Sequence, residues 1–392
     1  DLDLVVGAII IISVIYVTGK AYGWSLSLFI AGVLFYGWAG ALFPGVFQHS
    51  GYTPERLVYL NSIALDGTYG FVLQVISTWV AVFIFFAGFV EGYGGIEYVL
   101  GLGRSIRKYV STGIVQLAVI SSMVMGSITG SSSANVATTG SFTIPLMKDD
   151  GVDAKFAAAI ESIASSGGQI LPPVMGSASF LMADILGISY FTVIRGALLP
   201  ALLFYIGTVI AVHMLAKKHG WGTDDGTHSS ASDRSLLGHA RSSLASLDRN
   251  SWGSSPYLLS FLVLVYMLVV LRYDPMTAGT NTIFLLIASS LLTRLYIRGP
   301  ALDTVREWFV DTVDGARIGV VNMAPLAAVG AALGIVIRIL TSTGFTQKLT
   351  FEIISLSGES LLVVLLLVMF ASILFGLGMP TPAAYLVVAV LT

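Results

Sequence analysis

The sequence predicts an all-α polytopic membrane protein, laid out as an inverted repeat with two re-entrant helical hairpins and broken helices. Three observations lead there. Of its 392 residues, 55% are hydrophobic and only 11% are charged, against roughly 25% charge in soluble domains. So little charge cannot cover a water-facing surface, whereas a multi-span bilayer protein does not need to. Two Gly-rich breaks, starting at Gly126 and Gly376, interrupt apolar sequence at an offset of 250. The few Lys and Arg residues are distributed unevenly between the two faces that the apolar runs define. The net charge of −2 gives no footing for nucleic acid, and the lack of cysteine excludes disulfides, thiolate chemistry and Cys-ligated metals.

In chain order, runs able to cross a bilayer are 4–18, 24–43, 69–90, 190–214, 256–272, 279–297 and 316–338, with a further run at 360–375. Several fall short of the usual ~20 residues and borrow flanking residues. Asp1-Leu2-Asp3 has no basic n-region, so no signal peptide is expected. Both ends read as cut, since Thr392 falls inside an apolar run.

Two stretches do not fit single spans. Residues 110–125 are apolar, then Gly126-Ser-Ile-Thr-Gly-Ser-Ser-Ser-Ala-Asn135 breaks the helix, and 136–147 return to Lys148-Asp149-Asp150. The simplest structure is a hairpin that enters and leaves on one side, its backbone lining a cavity or packed in protein. Residues 155–186 read as one span broken in the middle. Ser165-Ser166-Gly167-Gly168-Gln169 unwinds it and Pro172-Pro173 prevents immediate re-formation. Residues 217–250 form the long polar stretch, expected to be a solvated linker.

With the hairpin 110–147 opening inside, only Arg56, Arg195, Arg272, Arg338 and Lys348 of the 20 basic residues lie outside, leaving 15 inside. That bias supports the orientation. A full span in place of the hairpin would flip all later segments and spoil it.

The offset of 250 also pairs Ser131 with Thr381, Ala134 with Ala384, Gly94 with Gly344, and span 69–90 with 316–338. The paired spans run in opposite directions, which is the usual construction of secondary transporters. By the same offset, roughly 75 residues of the second half are expected beyond Thr392. The first tip supplies hydroxyl and amide oxygens, and broken helices free backbone carbonyls and helix ends. Carbonyl and hydroxyl oxygens suit a hard cation, and helix N-termini suit an anionic group. No carboxylate lies between Gly126 and Met147, so the cage fits Na+ better than a tightly held divalent ion. The competing reading is that small residues only let helices pack closely.

Glu161 is an intramembrane acid, open to a role as proton relay, gate, or partner of a hydroxyl or basic neighbour. Arg338 is either a snorkelling residue or an anion contact. His219, His228 and His239 lie too far apart in polar sequence to argue for a metal, and Ser131-Ser132-Ser133 has no base nearby to make a nucleophile. A channel would favour one pore motif per chain, and an intramembrane enzyme would need paired acids, bases or nucleophiles within spans. Neither pattern is present.

Gly126 to Lys148, Phe156 to Gly176 and Gly376-Leu-Gly-Met-Pro-Thr-Pro-Ala-Ala-Tyr385 resemble the first hairpin, the broken helix and the start of the second hairpin of the large membrane subunit of TRAP (tripartite ATP-independent periplasmic) transporters. The resemblance runs from about residue 24 to the end. Phe43 to Tyr52 resembles the subgroup in which the small and large membrane subunits are fused, some of whose members work with binding proteins of the TAXI type.

The resemblance implies an elevator-type fold of the ion-transporter superfamily. Residues 1–20 would be the last helix of a small-subunit-like region fused upstream, and 21–216 the first inverted repeat. Residues 217–255 would be a cytoplasmic linker, and 256–392 a second repeat truncated within its hairpin. It implies Na+-coupled uptake of organic acids across the inner membrane, delivered by an extracytoplasmic solute-binding protein, with no cofactor and no enzymatic activity. The alternative is a divalent-anion/Na+ symporter of similar architecture that needs no binding protein. Carried over by motif, Ser131, Ser132, Ser133 and Asn135 are the first-hairpin Na+ or substrate residues. Gly167, Gly168 and Pro172 are the unwound helix, and Gly376, Gly378, Met379, Pro380 and Thr381 are the second tip.

Overall fold

The structure, a computed structural model, describes residues 2–95, 113–221, 255–357, 360–376 and 380–391. Helices account for nearly all of it, and among the described residues there is no strand. Most of the expected linker 217–255 lies outside the described residues.

The chain divides into two units. The first holds Asp1–Val80, Phe180–Ile185 and Val321–Thr392, and the second Ala81–Ser179 and Leu186–Val320. In the first unit, α1 (Leu2–Tyr22) and α2 (Trp24–Trp38) are joined where Ser27 Oγ donates to the Ile15 carbonyl at 2.7 Å. The run expected to reach residue 43 stops at Trp38. Two 3-10 turns follow, Gly40–Leu42 and Gly45–Phe47; Pro44, which lacks an amide proton, and Gly45, with a positive φ of 61°, separate them. A short α3 (Pro54–Val58) leads into a π turn, Tyr59–Ile63.

Helix α4 (Phe71–Gly92) contains a second π turn at Ile76–Val80. The loop before α4 packs on α12 (Leu302–Ser342, 41 residues). A Cβ on Gly334 would lie 2.1 Å from the Gly67 carbonyl oxygen, and Arg338 meets Asp66 at 3.3 Å. That pair is solvent-accessible, with Asp66 70% exposed, so it contributes little to stability.

The second unit carries α5 (Gly113–Thr129), α6 (Ser132–Asp149), α7 (Ala154–Gly167), α9 (Tyr190–His219), α10 (Ser255–Val265) and α11 (Pro275–Arg298). The helix between α7 and α9, α8 (Ser177–Ile185), passes from this unit to the first. Helix α5 is buried on nearly all sides, as a helix without a polar face must be. With Met147, Ala157, Ile160, Ala164, Tyr205 and Val212 it builds the apolar core of this unit. By contrast α9 turns Leu203 (62% exposed), Ile206 and Ile210 outward. Water would disfavour such a surface, whereas lipid tails match it.

The expected span 316–338 is only the end of α12. Its first half carries Asp303, Arg306, Glu307, Asp311 and Asp314, which interrupt the apolar run without breaking the helix. Arg294 of α11 binds Asp311 at 2.6 Å. At about 60 Å, α12 is twice the thickness of a hydrocarbon core. Within the second unit, α4 and α12 cross backbone to backbone. A Cβ on Gly88 would sit 2.6 Å from the Gly315 carbonyl oxygen, and one on Gly92 would sit 2.6 Å from the Gly315 Cα. Tyr93 Oη lies 2.7 Å from Thr312 Oγ1 at the same crossing. Lipid supplies no hydrophobic drive for helix association, so such close approach and hydrogen bonding carry it.

The remaining helices, α13 (Phe345–Ser357), α14 (Leu361–Gly376) and α15 (Thr381–Leu391), belong to the first unit. Gly315→Leu should destabilise the full-length protein by about 1–3 kcal/mol through overpacking and lower its thermal midpoint in detergent. Gly207→Leu, at a position with open space around it, should not lower it.

Candidate functional site

The site is built from α5, α6 and α7. Helix α5 ends at Thr129, and the chain turns through Gly130 (φ 61°) into Ser131. The extended Ser131 caps α6 by accepting from the Ala134 amide at 3.3 Å. A Cβ on Gly130 would stand 2.0 Å from the Met175 carbonyl oxygen, so this turn has no room for another residue. The tip is therefore pressed against non-helical backbone. Helix α7 stops at Gly167 and the chain does not return to helix until Ser177.

The two broken elements satisfy each other. The Val174 amide donates to the Ser127 carbonyl at 3.3 Å, and the Gly176 amide to the Gln169 carbonyl at 2.7 Å. Gln169 Nε2 donates to Ser132 Oγ at 2.6 Å, and Tyr190 Oη donates to the carbonyl of Val174. A Cβ on Gly126 would lie 2.7 Å from the Gly168 Cα, so the α5 and α7 backbones touch. Non-helical backbone at membrane depth requires such packing.

Below the tip lies Glu161, fully buried. Its Oε1 accepts from Ser122 Oγ (2.7 Å), Thr139 Oγ1 (2.5 Å) and Ser165 Oγ (3.0 Å), and its Oε2 accepts from Thr143 Oγ1 (2.6 Å). The donors come from α5, α6 and α7 itself. No basic side chain pairs with it among the described residues. Of the four readings open from sequence, partnership with hydroxyls is the arrangement present. Asn135 extends the cluster: its Nδ2 donates to the Ser122 carbonyl at 2.7 Å, tying α6 to α5.

The residues expected at the first tip have different surroundings. Ser131 is the cap of α6, with Ser133 Oγ 3.3 Å away. Ser132 is bound to Gln169, Ser133 is exposed, and Asn135 is buried as a brace between helices. Gly167 and Gly168 are buried at the end of α7, and Pro172 is half-buried in the non-helical stretch. The second tip belongs to the other unit. There Gly376 ends α14 with open space around it, Pro380 accepts from the Ala384 amide at 3.0 Å, and Thr381 opens α15. Gly378 and Met379 lie outside the described residues.

Ser122, Thr139, Thr143, Ser165 and Gln169 were not among the expected site residues. The signal for two of them was Asn135-Thr139-Thr143, spaced four apart and so on one helix face. His219 stacks on Trp221 at 4.8 Å, while His228 and His239 lie outside the described residues. Among the described residues no three His, Cys, Asp or Glu side chains gather as a metal centre.

Among the described residues five helices are long and apolar enough to cross a membrane, and two helical hairpins and an unwound helix accompany them. That combination defines a polytopic α-helical membrane transporter. The sequence pattern of the tripartite ATP-independent periplasmic transporter family, DctM component, matches residues 9–392, and the chain belongs to that family. It is similar to the isethionate TRAP transporter permease protein DctMQ of Oleidesulfovibrio alaskensis, 28% identical over 165 residues, or 42% of this chain and 25% of that protein. It is also similar to the uncharacterized protein y4mL of Sinorhizobium fredii, 24% identical over 294 residues, or 73% of this chain and 63% of that protein. The chain thus spans less than two thirds of either relative.

Asn135→Ala should cost about 0.5–1.5 kcal/mol by removing the bond from its Nδ2 to the Ser122 carbonyl that ties α6 to α5. Ser133→Ala, at an exposed position, should be neutral. Thermal unfolding of the full-length variants checks both.

Proposed function

We propose that the chain is the membrane permease component of a Na+-coupled, binding-protein-dependent secondary transporter that imports organic acids. One observation carries this reading most. At a single tip the carbonyl end of α5 and the amide end of α6 meet beside non-helical backbone, with only neutral oxygens between Gly126 and Met147. A helix C-terminus favours a cation and an N-terminus an anionic group. Thr129 Oγ1 is buried there without a hydrogen-bond partner, an oxygen left over for an ion. Neutral hydroxyl and carbonyl donors suit Na+ rather than a tightly held divalent cation.

Family membership supports an extracytoplasmic solute-binding protein and a small-subunit-like membrane region as partners. The fused arrangement is supported by the relative named DctMQ. That relative's name also supports a small organic anion as cargo. In this reading both hairpins are re-entrant, and the solute is carried by an elevator motion. The partition 1–20, 21–216, 217–255 and 256–392 follows the offset of 250, and the basic-residue bias supports an inner-membrane orientation with the linker in the cytoplasm. The chain acts as a carrier and not as an enzyme.

Proteoliposomes holding the full-length protein should accumulate an organic acid only with a Na+ gradient and the cognate binding protein. Uptake that is unchanged when Na+ is replaced by K+ would refute the coupling. Thr129→Val should raise the Na+ concentration for half-maximal uptake by about tenfold, the equivalent of one lost polar contact.

A further inference from the structure

We propose that two tyrosines of α9, Tyr190 and Tyr205, are positioning residues that pin the two ends of the unwound stretch. They thereby set where its oxygens stand relative to the hairpin tip. They sit where the broken helix gives up its own hydrogen bonds. At the end of α7 the Gly168 amide donates to the Ser165 carbonyl at 3.2 Å, one residue short of its regular helical partner, Ala164. The Ala164 carbonyl is met instead by Tyr205 Oη at 3.0 Å. At the other end Tyr190 Oη donates to the carbonyls of Pro173, at 3.3 Å, and Val174. Both tyrosines are 5% exposed.

A backbone carbonyl at membrane depth needs a donor, and Pro172 and Pro173 have no amide to give. The stretch therefore holds more acceptors than donors, and α9 makes up part of the difference. Between the two pins, the carbonyls of Ile170, Leu171 and Pro172 receive no hydrogen bond from the described residues. These are the oxygens whose placement the pins decide.

The two helices set the length of the stretch. A Cβ on Gly167 would lie 2.3 Å from Phe204 Cε1 and 2.9 Å from Tyr205 Cζ, so the first pin stands against the last residue of α7. From Tyr205 back to Tyr190, α9 rises about 22 Å, whereas a continuous helix from Ala164 to Val174 would rise about 15 Å. Non-helical backbone covers the longer distance.

The second pin lies beside the contact with the tip. The Val174 amide is bound to the Ser127 carbonyl at 3.3 Å. Met175 takes a φ of 60°, which a residue with a side chain keeps only where its surroundings impose it. Its carbonyl oxygen is the atom that a Cβ on Gly130 would meet at 2.0 Å. Tyr190 thus holds the residue next to the one that touches the hairpin turn.

The consequence for transport rests on the permease reading, whereas the positional claim is tested without flux. This chain has no cysteine. Ser133→Cys on the tip and Ile170→Cys between the pins, both exposed positions, can therefore carry a nitroxide pair in full-length protein without other cysteines, in lipid. Their neighbours Ser132 and Gln169 are hydrogen-bonded at 2.6 Å, so the pair should show strong dipolar broadening. Tyr190→Phe and Tyr205→Phe should each weaken it. Tyr93→Phe, which loses the contact of a buried tyrosine with Thr312 where α4 crosses α12, should not. In proteoliposomes, Tyr190→Phe should raise the Na+ concentration for half-maximal uptake about fivefold, the equivalent of one net hydrogen bond, with the maximal rate kept. Broadening equal to the wild type in either α9 variant, or the same weakening in Tyr93→Phe, would overturn the proposal. So would a loss of maximal rate at unchanged half-saturation, because a tyrosine that only stabilises the fold changes the amount of active protein and not its affinity for Na+. Wild-type uptake that ignores Na+ would count against the coupling alone, since the label pair still decides the position.

Discussion

A carboxylate buried away from water and without a cation must be surrounded by donors, since an uncompensated buried charge costs several kcal/mol. That constraint organises the second unit. Ser122 on α5, Thr139 and Thr143 on α6 and Ser165 on α7 all converge on Glu161, so three helices from two sequence stretches are fixed relative to one another by one acid. Asn135 and its bond to the Ser122 carbonyl transmit the arrangement a turn further, to the start of the tip. Apolar packing by Ile114, Ala118, Ala157 and Ile160 fills the space but is not directional. The hydroxyl–carboxylate bonds set the register.

Above this cluster the backbone is under a second demand. Residues 168–176 are non-helical, and their polar groups have to be met by protein. They are met by the hairpin tip, through Ser127, Ser132 and the close approach of Gly126 to Gly168. The tip and the unwound stretch are therefore one structure. Thr129 Oγ1 is buried at the end of α5 without a hydrogen-bond partner.

Much of this was legible in the sequence, because Gly and Pro act locally. The turn at Gly130, the end of α7 at Gly167 and the non-helical stretch around Pro172-Pro173 all fall where glycine and proline break an apolar helix. What was not legible depended on tertiary contacts. Ser131, Ser132, Ser133 and Asn135 looked equivalent as tip oxygens, yet one caps a helix, one binds Gln169, one is exposed and one is buried as a brace. Glu161 stood out by its charge, but its four partners are ordinary Ser and Thr residues, of which the region has many. The length of α12 was hidden by charges in its first half, since hydropathy sees a span end where the helix itself continues. The stop at Trp38 was masked by the apolar run of 24–43, within which the chain leaves the helix for a 3-10 turn at Gly40–Leu42.

The central claim is that Glu161 and its hydroxyls act as a single bonded unit holding the hairpin to α7. A double-mutant cycle of unfolding free energies for the full-length protein, combining Glu161→Gln with Ser165→Ala, tests it most directly. Residues in one bonded network couple by about 0.5–3 kcal/mol, whereas independent ones add. The account predicts coupling of at least about 1 kcal/mol, with the Ser165 substitution costing far less once Glu161 is replaced. Additive losses, as for two unrelated sites, would contradict it.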